Sequence, residues 1–297
     1  MVQKKGIVSN IGRGTIYLTV FLLGLLCLLP LLNIIALSFS GSAAVSANRV
    51  GFIPVDFTMA AYQKILGDQQ FWRSFGISVI RVILALVLNL VLVLLMAYPL
   101  SKTKREFRGR NVYMNILIFA MLFNGGMIPT YIVVKELGLL NSVWALVLPG
   151  AVPIFSVIMV MNFFIGVPKA LEEAAVIDGA TPLQVLTKVY LPCSKPVIAT
   201  VALFSIVGSW NDFFSGLIYM TKVNNYPLQT YIQSLSVKLE DMLNAGGSIS
   251  SLVNVMDVSA QNLNAAKIVV SVIPLLLIYP LLQKYLITGI VVGSVKE

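Results

Sequence analysis

Acidic residues are scarce in this chain, yet three of them fall in one short stretch, EEAAVIDGATPLQVLTKVYLP, at residues 172–192. Glu172, Glu173 and Asp178 would each cost about 2.5–3.5 kcal/mol at the centre of a bilayer. The stretch should therefore lie in water. The chain contains no histidine, which excludes a Ser–His–Asp or Cys–His catalytic site and leaves no His/Cys cluster for a metal. With these two kinds of site excluded, we interpret the stretch as a surface that contacts another molecule.

The first half of this stretch predicts a short helix with one face of small side chains. The residues that share this face, at positions i, i+3, i+4 and i+7, are Leu171, Ala174, Ala175 and Asp178. Small side chains let another backbone approach closely. Gly179 can adopt a positive φ and should end the helix.

The second half predicts another short helix after an elbow. Thr181 is a typical N-cap with Pro182 at the first helical position, and Pro192 should end the helix. An apolar stripe is formed by Leu183, Leu186 and Tyr190. An apolar stripe that faces water needs a partner, so a protein-docking loop is favoured over an ordinary polar connection, which typically has about 4–6 residues.

One further acid, Asp212, lies deep within an apolar segment that predicts a helix. Intramembrane acids usually face the bundle interior or a water-filled cavity. Polar or small residues that share its arc, at about 100° per residue, are Ser205, Gly208, Asn211, Ser215 and Tyr219. Such a strip can offer hydrogen bonds to sugar hydroxyls along a solute pathway, or it can hold helices together. The sequence leaves both roles open.

The composition is that of a membrane protein. Of 297 residues, 58% are hydrophobic and 11% are charged, whereas soluble domains carry about a quarter charged residues. A spanning helix needs about 20 apolar residues, and the alternation typical of barrel strands is absent. We therefore predict an all-α polytopic membrane protein. Its single transmembrane domain, residues 1–297, should have six spans at about 16–38, 75–98, 112–130, 143–166, 196–220 and 267–288.

The positive charge predicts the topology. With the N-terminus inside, the inner segments hold thirteen Lys and Arg residues and the outer loops hold six, as expected for cytoplasmic flanks. Both termini should then be cytoplasmic, and nucleic acid is not needed to explain the net charge of +9. Arg81, near the outer end of the second span, is expected to snorkel towards water.

The first apolar run, residues 16–37, is too long for the 7–15-residue core of a signal peptide.

A break is predicted near the outer end of the third span. Asn124 precedes two glycines, Gly125 and Gly126, close to Pro129, and glycine commonly ends a helix. We include Asn124 with the candidate pathway residues. A long outer segment at 221–266 carries apolar residues such as Leu228 within a predicted amphipathic helix, which lies either at the membrane interface or on a landing surface for another protein.

Several motifs resemble those of a known family. EAAVIDGA at 173–180, followed by Leu191-Pro192, resembles the EAA loop of permease subunits in ATP-driven ABC importers. LGLLN at 137–141 running into WALVLPG at 144–150, SWNDF at 209–213, and the tail QKYLITGIVVGSVKE at 283–297 are similar to the MalG-type subunit of carbohydrate importers. The resemblance covers nearly the whole chain, and residues 119–150 and 210–228 look most like the branch that serves complex or plant-wall oligosaccharides.

The resemblance implies a type I importer permease fold that forms half of a translocation pathway. In that family the EAA loop forms a coupling helix seated in a groove on an ATP-binding subunit. The corresponding residues here are Glu173, Ala174, Ala175, Asp178, Gly179, Ala180, Leu183 and Leu186, the last standing where an aromatic residue is common. The tail reaches between two ATPase subunits in the family, which implies contacts from Gly293, Ser294, Val295, Lys296 and Glu297.

The implied partners are a second, MalF-like permease, two copies of an ATP-binding subunit and an extracytoplasmic solute-binding protein, all at a bacterial cell membrane. The chain has no P-loop pattern G-x-x-x-x-G-K-[ST]. We therefore expect no enzymatic activity and no cofactor in this chain, with ATP and Mg²⁺ on the partner ATPases. A permease for a non-sugar solute and a secondary carrier are the alternatives. A carrier would couple through intramembrane acids within internal repeats, and here only Asp212 qualifies, with no clear repeat.

Overall fold

The computed structural model of the chain describes residues 7–235 and 260–294. Within those two ranges the chain is mostly helical and has no β-strand, in agreement with the predicted all-α class. The helices of the described ranges, numbered in chain order, are α1 (Ile7–Ser38), α2 (Ser42–Ser46), α3 (Ala60–Gly67), α4 (Gln69–Ser101), α5 (Arg110–Leu122), α6 (Met127–Glu136), α7 (Val143–Gly150), α8 (Ile154–Ile165), α9 (Lys169–Ile177), α10 (Pro182–Cys193), α11 (Lys195–Asn211), α12 (Phe214–Tyr219), α13 (228–235) and α14 (Ala260–Ser294).

Three of these helices contain segments long and apolar enough to cross a membrane. They are Gly12–Ser38 of α1, the whole of α4, and Gln261–Pro280 of α14. Three bent pairs, α5 with α6, α7 with α8, and α10 with α11, bring the number of candidate spans in the described residues to as many as six. Most residues of α1 from Gly12 onwards are exposed, and the large side chains among them are mainly leucines, a surface suited to lipid rather than water.

The predicted break in the third span is confirmed. Helix α5 ends at Leu122, Gly126 has a φ of +88°, and α6 leaves at 113° to α5. The predicted third span, 112–130, is therefore built from two helices that meet at this break. Helices α7 and α8 meet at a bend of 49°, where Pro153 lacks the N–H that a continuous helix needs.

The chain forms two compact units. One comprises the described parts of 1–69 and 234–272, and the other those of 70–233 and 273–297. In the first unit, Phe39 stacks on Phe57 and Tyr62 with ring centroids 5.6 and 4.8 Å apart. In the same unit, Lys267 forms a buried ion pair with Asp68 at 2.6 Å, so a polar contact as well as aromatic packing holds these segments together.

The core of the second unit joins helices that are distant in sequence. Buried side chains from α4, α8, α10 and α11 meet in one cluster that includes Val93, Phe164, Leu186 and Val201. A smaller cluster gathers around Tyr219. The large cluster therefore fixes the 172–192 stretch to the helical bundle.

Candidate functional site

The predicted elbow is confirmed in detail. Helix α9 ends at Ile177, and Gly179 follows with a φ of +79°. The Ala180 N–H donates to the Ala175 carbonyl at 2.9 Å. This bond satisfies a helix-end carbonyl, in the manner of a glycine-terminated helix.

The second helix begins with a capping box. Thr181 Oγ1 accepts from the Gln184 N–H at 3.4 Å, and Gln184 Oε1 accepts from the Thr181 N–H at 2.8 Å. Pro182 occupies the first helical turn. Two donors at the start of the helix are thereby satisfied by side chains.

The prediction that Pro192 ends this helix is wrong. Helix α10 continues through Pro192 to Cys193, because residues 186–190 form a π-turn in which the Leu191 N–H donates to the Leu186 carbonyl. A proline has no N–H, and its ring would clash with the carbonyl four residues earlier in a regular helix. The wider π-turn changes that register. The chain then turns by 87° into α11.

The predicted apolar stripe of α10 faces mainly inward. Leu186 and Tyr190 are each 4% exposed, whereas Leu183 is 62% exposed. The prediction that Leu186 belongs to the water-facing surface is therefore wrong. Leu186 lies in the core and anchors α10 to the bundle.

The water-facing surface of the elbow has a different composition from the one predicted. We define the elbow surface by its exposed apolar side chains, Leu171, Val176, Ile177 and Leu183. Glu173, Ala174, Asp178 and Gly179 are also exposed, while Ala175 and Ala180 are partly buried. A groove of about 430 Å³ runs beside it, lined by Ala175, Asp178, Gly179, Ala180, Gln184, Lys188 and Val189. Apolar groups exposed beside the charged Glu173 and Asp178 fit a protein partner better than lipid.

A polar cluster lies under the elbow. Lys102, directly after α4, forms an ion pair with Glu172 of α9. The Tyr190 hydroxyl of α10 donates to Glu172 Oε2 at 2.6 Å, and Lys102 Nζ lies 3.1 Å from the Tyr190 hydroxyl oxygen. Burial, together with the neighbouring Glu172 carboxylate, raises the pKa of Tyr190 above its ordinary value, so its hydroxyl remains a donor. The members of this cluster are far apart along the chain, so local sequence patterns do not identify it.

A second constellation surrounds Asp212, which does not lie within a helix as predicted. Helix α11 ends at Asn211, Asp212 is extended with a ψ of 104°, and α12 begins at Phe214. The Asp212 carboxylate accepts from the Ser215 N–H at 3.1 Å, which caps the new helix. The fifth span, predicted to be continuous over 196–220, is therefore interrupted at this acid.

The prediction that Arg81 snorkels to water is also wrong. Arg81 is 3% exposed and forms an ion pair with the Asp212 carboxylate. Its guanidinium also donates to the Asp212 main-chain oxygen at 2.9 Å. The charge on Arg81 is thus matched by an acid 131 residues further along the chain.

Arg81 and Asp212 line a pocket of about 250 Å³. The other lining residues are Ala85, Asn89, Ala145, Leu146, Val147, Pro149, Gly150, Phe204, Ser205, Gly208, Ser209, Ser215 and Tyr219. Most of the predicted strip, namely Ser205, Gly208, Asp212, Ser215 and Tyr219, is therefore brought together. Asn211 is exposed and is not among the lining residues.

Two other outcomes concern residues outside the predicted strip. Asn124 is exposed at the α5–α6 break, where its Oδ1 accepts from the Gly126 N–H at 2.9 Å, and it does not line the pocket. Asn89, a lone amide in an apolar span, does line it and lies 3.3 Å from Ser205 Oγ. Its polarity was the one signal that could have identified it.

No group of three or more Cys, Asp or Glu side chains within the described ranges is placed to hold a metal ion.

Comparison with known proteins decides the family. Residues 91–292 match the model of the family described as binding-protein-dependent transport system inner membrane component. The chain belongs to this family. The permease is 42% identical to protein LplC of Bacillus subtilis (strain 168), over 92% of this chain and 90% of that protein.

Two further similarities extend over almost the full length of the permease. It is 38% identical to the polygalacturonan/rhamnogalacturonan transport system permease protein YtcP of B. subtilis (strain 168), over 95% of this chain and 96% of that one. A chain in the crystal structure of a bacterial ABC transporter involved in the import of the acidic polysaccharide alginate matches with a TM-score of 0.85. That match has 33% identity and covers 94% of this chain and 98% of the other. The predicted family and the type I importer permease fold are thereby confirmed.

The remaining predicted sites of the permease lie at its last described residues and in its long outer segment. Gly293 and Ser294 end α14, while Val295, Lys296 and Glu297 lie outside the described residues. In the outer segment, Leu228 is fully buried, and its N–H donates to Ser78 Oγ at 2.8 Å. The start of α13 therefore packs inside its unit instead of lying with its apolar face in lipid.

Proposed function

We propose that this permease forms half of a pathway that imports oligosaccharides released from complex polysaccharides. The observation that carries the proposal is the pair of relatives named for polygalacturonan/rhamnogalacturonan transport and for alginate import, at 38% and 33% identity over nearly the whole chain. Galacturonan is a polymer of a uronic acid, and alginate is named as an acidic polysaccharide. The substrate expected here is an oligosaccharide rich in uronic acids.

The chemistry of the pocket fits a sugar. Hydroxyls from Ser209, Ser215 and Tyr219 and the amide of Asn89 surround a site in which the charges of Arg81 and Asp212 cancel. Sugar hydroxyls need groups that donate and accept hydrogen bonds, and these side chains do both. The pocket volume of about 250 Å³ is below the roughly 300–1,000 Å³ of typical ligand sites, so this chain supplies one wall and a second permease supplies the other.

The energy comes from separate subunits. The elbow surface binds an ATP-binding subunit. The exposure of Ile177 (85%) and Leu183 (62%) supports this contact. Residues 293–297 make the second contact with two ATPase copies, which hold ATP and Mg²⁺, while this chain binds no cofactor. In this arrangement both termini are cytoplasmic, and an extracytoplasmic binding protein delivers the sugar on the opposite side.

Reconstitution tests the proposal. The permease, its second permease, the ATPase and the binding protein are placed in vesicles, and ATP-driven uptake of labelled oligogalacturonides is compared with that of neutral malto-oligosaccharides. We expect uptake of the galacturonides, dependent on both ATP and the binding protein. Uptake of neutral sugars alone would overturn the uronide assignment. Uptake by the permease alone, driven by an ion gradient, would instead establish the secondary carrier.

A further inference from the structure

The polar cluster under the elbow connects three segments that are separate in sequence. Lys102 follows the last residue of α4, Glu172 lies in the first turn of α9, and Tyr190 lies in α10. We call these three residues the latch. Each member touches the other two, through the Lys102–Glu172 ion pair, the Tyr190–Glu172 hydrogen bond and the 3.1 Å Lys102–Tyr190 contact.

The latch is shielded from water. The Lys102 and Glu172 side chains are 13% and 21% exposed, and Tyr190 is 4% exposed. Lys102 Nζ also lies 4.2 and 4.5 Å from the ring centroids of Tyr98 and Tyr190, where a cation is attracted to the aromatic face. Breaking the ion pair would leave a partly buried charge without its partner, which is strongly unfavourable. The contact should therefore persist while the segments around it move.

Helix α4 extends from the latch to the pocket. The helix runs without interruption from Gln69 to Ser101, with Pro99 in its last turn, and Arg110 Nε donates to the Leu100 carbonyl at 2.9 Å, which satisfies one of the last carbonyls of the helix. Arg81 lies about six helical turns before Lys102, or about 30 Å along the axis. The C-terminal end of α4 thus holds α9, and Arg81, about a third of the way along the helix from Gln69, holds Asp212 at the interruption between α11 and α12.

We propose that the latch makes α9 and α4 move as one body, so that displacement of the elbow by the ATPase is carried along α4 to the Arg81–Asp212 pair and the pocket. The inference rests on the proposed function, because it needs a motor that displaces α9. Lys102, Glu172 and Tyr190 are positioning residues in this scheme. None of them lines the pocket.

The first test measures sugar uptake per ATP hydrolysed in the reconstituted complex. Lys102→Met, Glu172→Gln and Tyr190→Phe are compared with matched controls on exposed neighbours, Lys104→Met and Tyr113→Phe. We expect assembled complexes in which the latch variants lose about fivefold or more in uptake per ATP, the lower end of typical coupling between sites. Lys102→Arg keeps the charge and should retain most of the coupling. Latch variants that match the controls would overturn the proposal.

The second test reads the motion directly and does not require any latch variant to be active. Spin labels are placed at the exposed Lys104 and Lys169, after the exposed free thiols Cys27 and Cys193 are changed to serine. With the latch intact, the distance between the labels should be the same without ATP and with ATP trapped on the ATPase. A Lys102→Met background should show a shift or a broadened distribution.

A distance change between the two states in the protein with its latch intact would refute the joint movement of α9 and α4. Failure of the unsubstituted complex to take up sugar would count against the proposed function instead. The label distances separate these two results, because nucleotide trapping on the ATPase requires no transported substrate.

Discussion

At the scale of single residues, the Arg81–Asp212 pair explains how two charges exist inside a membrane bundle. Each charge is balanced by the other, and the Asp212 carboxylate also accepts from the Ser215 N–H. The Asp212 main-chain oxygen accepts from Arg81 as well. The same acid therefore caps α12 and holds α4 against the interruption in the fifth span. Of the two roles that the sequence leaves open, the holding role is the one that these contacts support directly.

Removal of Asp212 should destabilise the permease. Asp212→Ala leaves Arg81, which is 3% exposed, buried without its partner, and this typically costs about 3–5 kcal/mol. Unfolding of the purified protein in detergent measures the loss. Asn211→Ala, at the exposed neighbouring position, serves as the control and should change stability by no more than about 0.5 kcal/mol. Unchanged stability with weakened sugar binding would favour a direct role of Asp212 in the pathway.

Tyr190 should make stability depend on alkaline pH. Its pKa is raised by burial and by Glu172, so above the ordinary value near 10 the unfolded chain loses a proton that the folded protein retains. Stability contributed by the retained proton is fully present below about pH 10 and decreases as the pH rises further. We expect denaturant midpoints to decrease from pH 9 to pH 11 less steeply in Tyr190→Phe than in the wild type. Equal slopes would contradict this assignment, and Tyr113→Phe controls for a general tyrosine effect.

At the scale of elements, the elbow shows which features short-range patterns predict. The positive φ of Gly179 and the capping box of Thr181 follow from residues within a few positions, and both are present. The π-turn before Pro192 and the interruption at Asp212 do not follow from local patterns. The π-turn carries Leu186 and Tyr190 into the core, and Asp212 pairs with Arg81, which lies 131 positions away in sequence. Short-range sequence patterns therefore predict a helix end only where neighbouring residues determine it.

Gly179 should be required for the direction of the elbow. Its φ of +79° is unavailable to proline, whose φ is fixed near −65°, so Gly179→Pro must redirect α10 relative to α9. We expect the protein to remain in the membrane while uptake per ATP decreases. Gly76→Ala, inside α4 with nothing within 4 Å of the added carbon, is the control and should leave uptake unchanged. Normal uptake together with wild-type recovery of the ATPase in Gly179→Pro would argue against the docking role of the elbow.

At the scale of the whole molecule, composition was enough to predict an all-α membrane protein, because apolar segments of the required length have few other solutions. The pocket was only partly predictable. Gly208, Asp212 and Ser215 were found through helical periodicity, whereas Arg81 and Asn89 come from a different helix and are placed by packing. Periodicity relates residues along one helix, and it carries no information on which face of another helix lies opposite.

The assembly that the permease enters should depend on the elbow surface. Ile177 is 85% exposed, so Ile177→Ser should change the stability of this chain by no more than about 0.5 kcal/mol. Burial of such a side chain against a partner typically contributes about 1.5–3 kcal/mol, so affinity for the ATPase should fall by about tenfold to a hundredfold. Binding of the ATPase to the permease pair in nanodiscs measures this change. Leu66→Ser, on α3 at 69% exposure, is the matched control, and equal affinities for the two variants would show that the ATPase docks elsewhere.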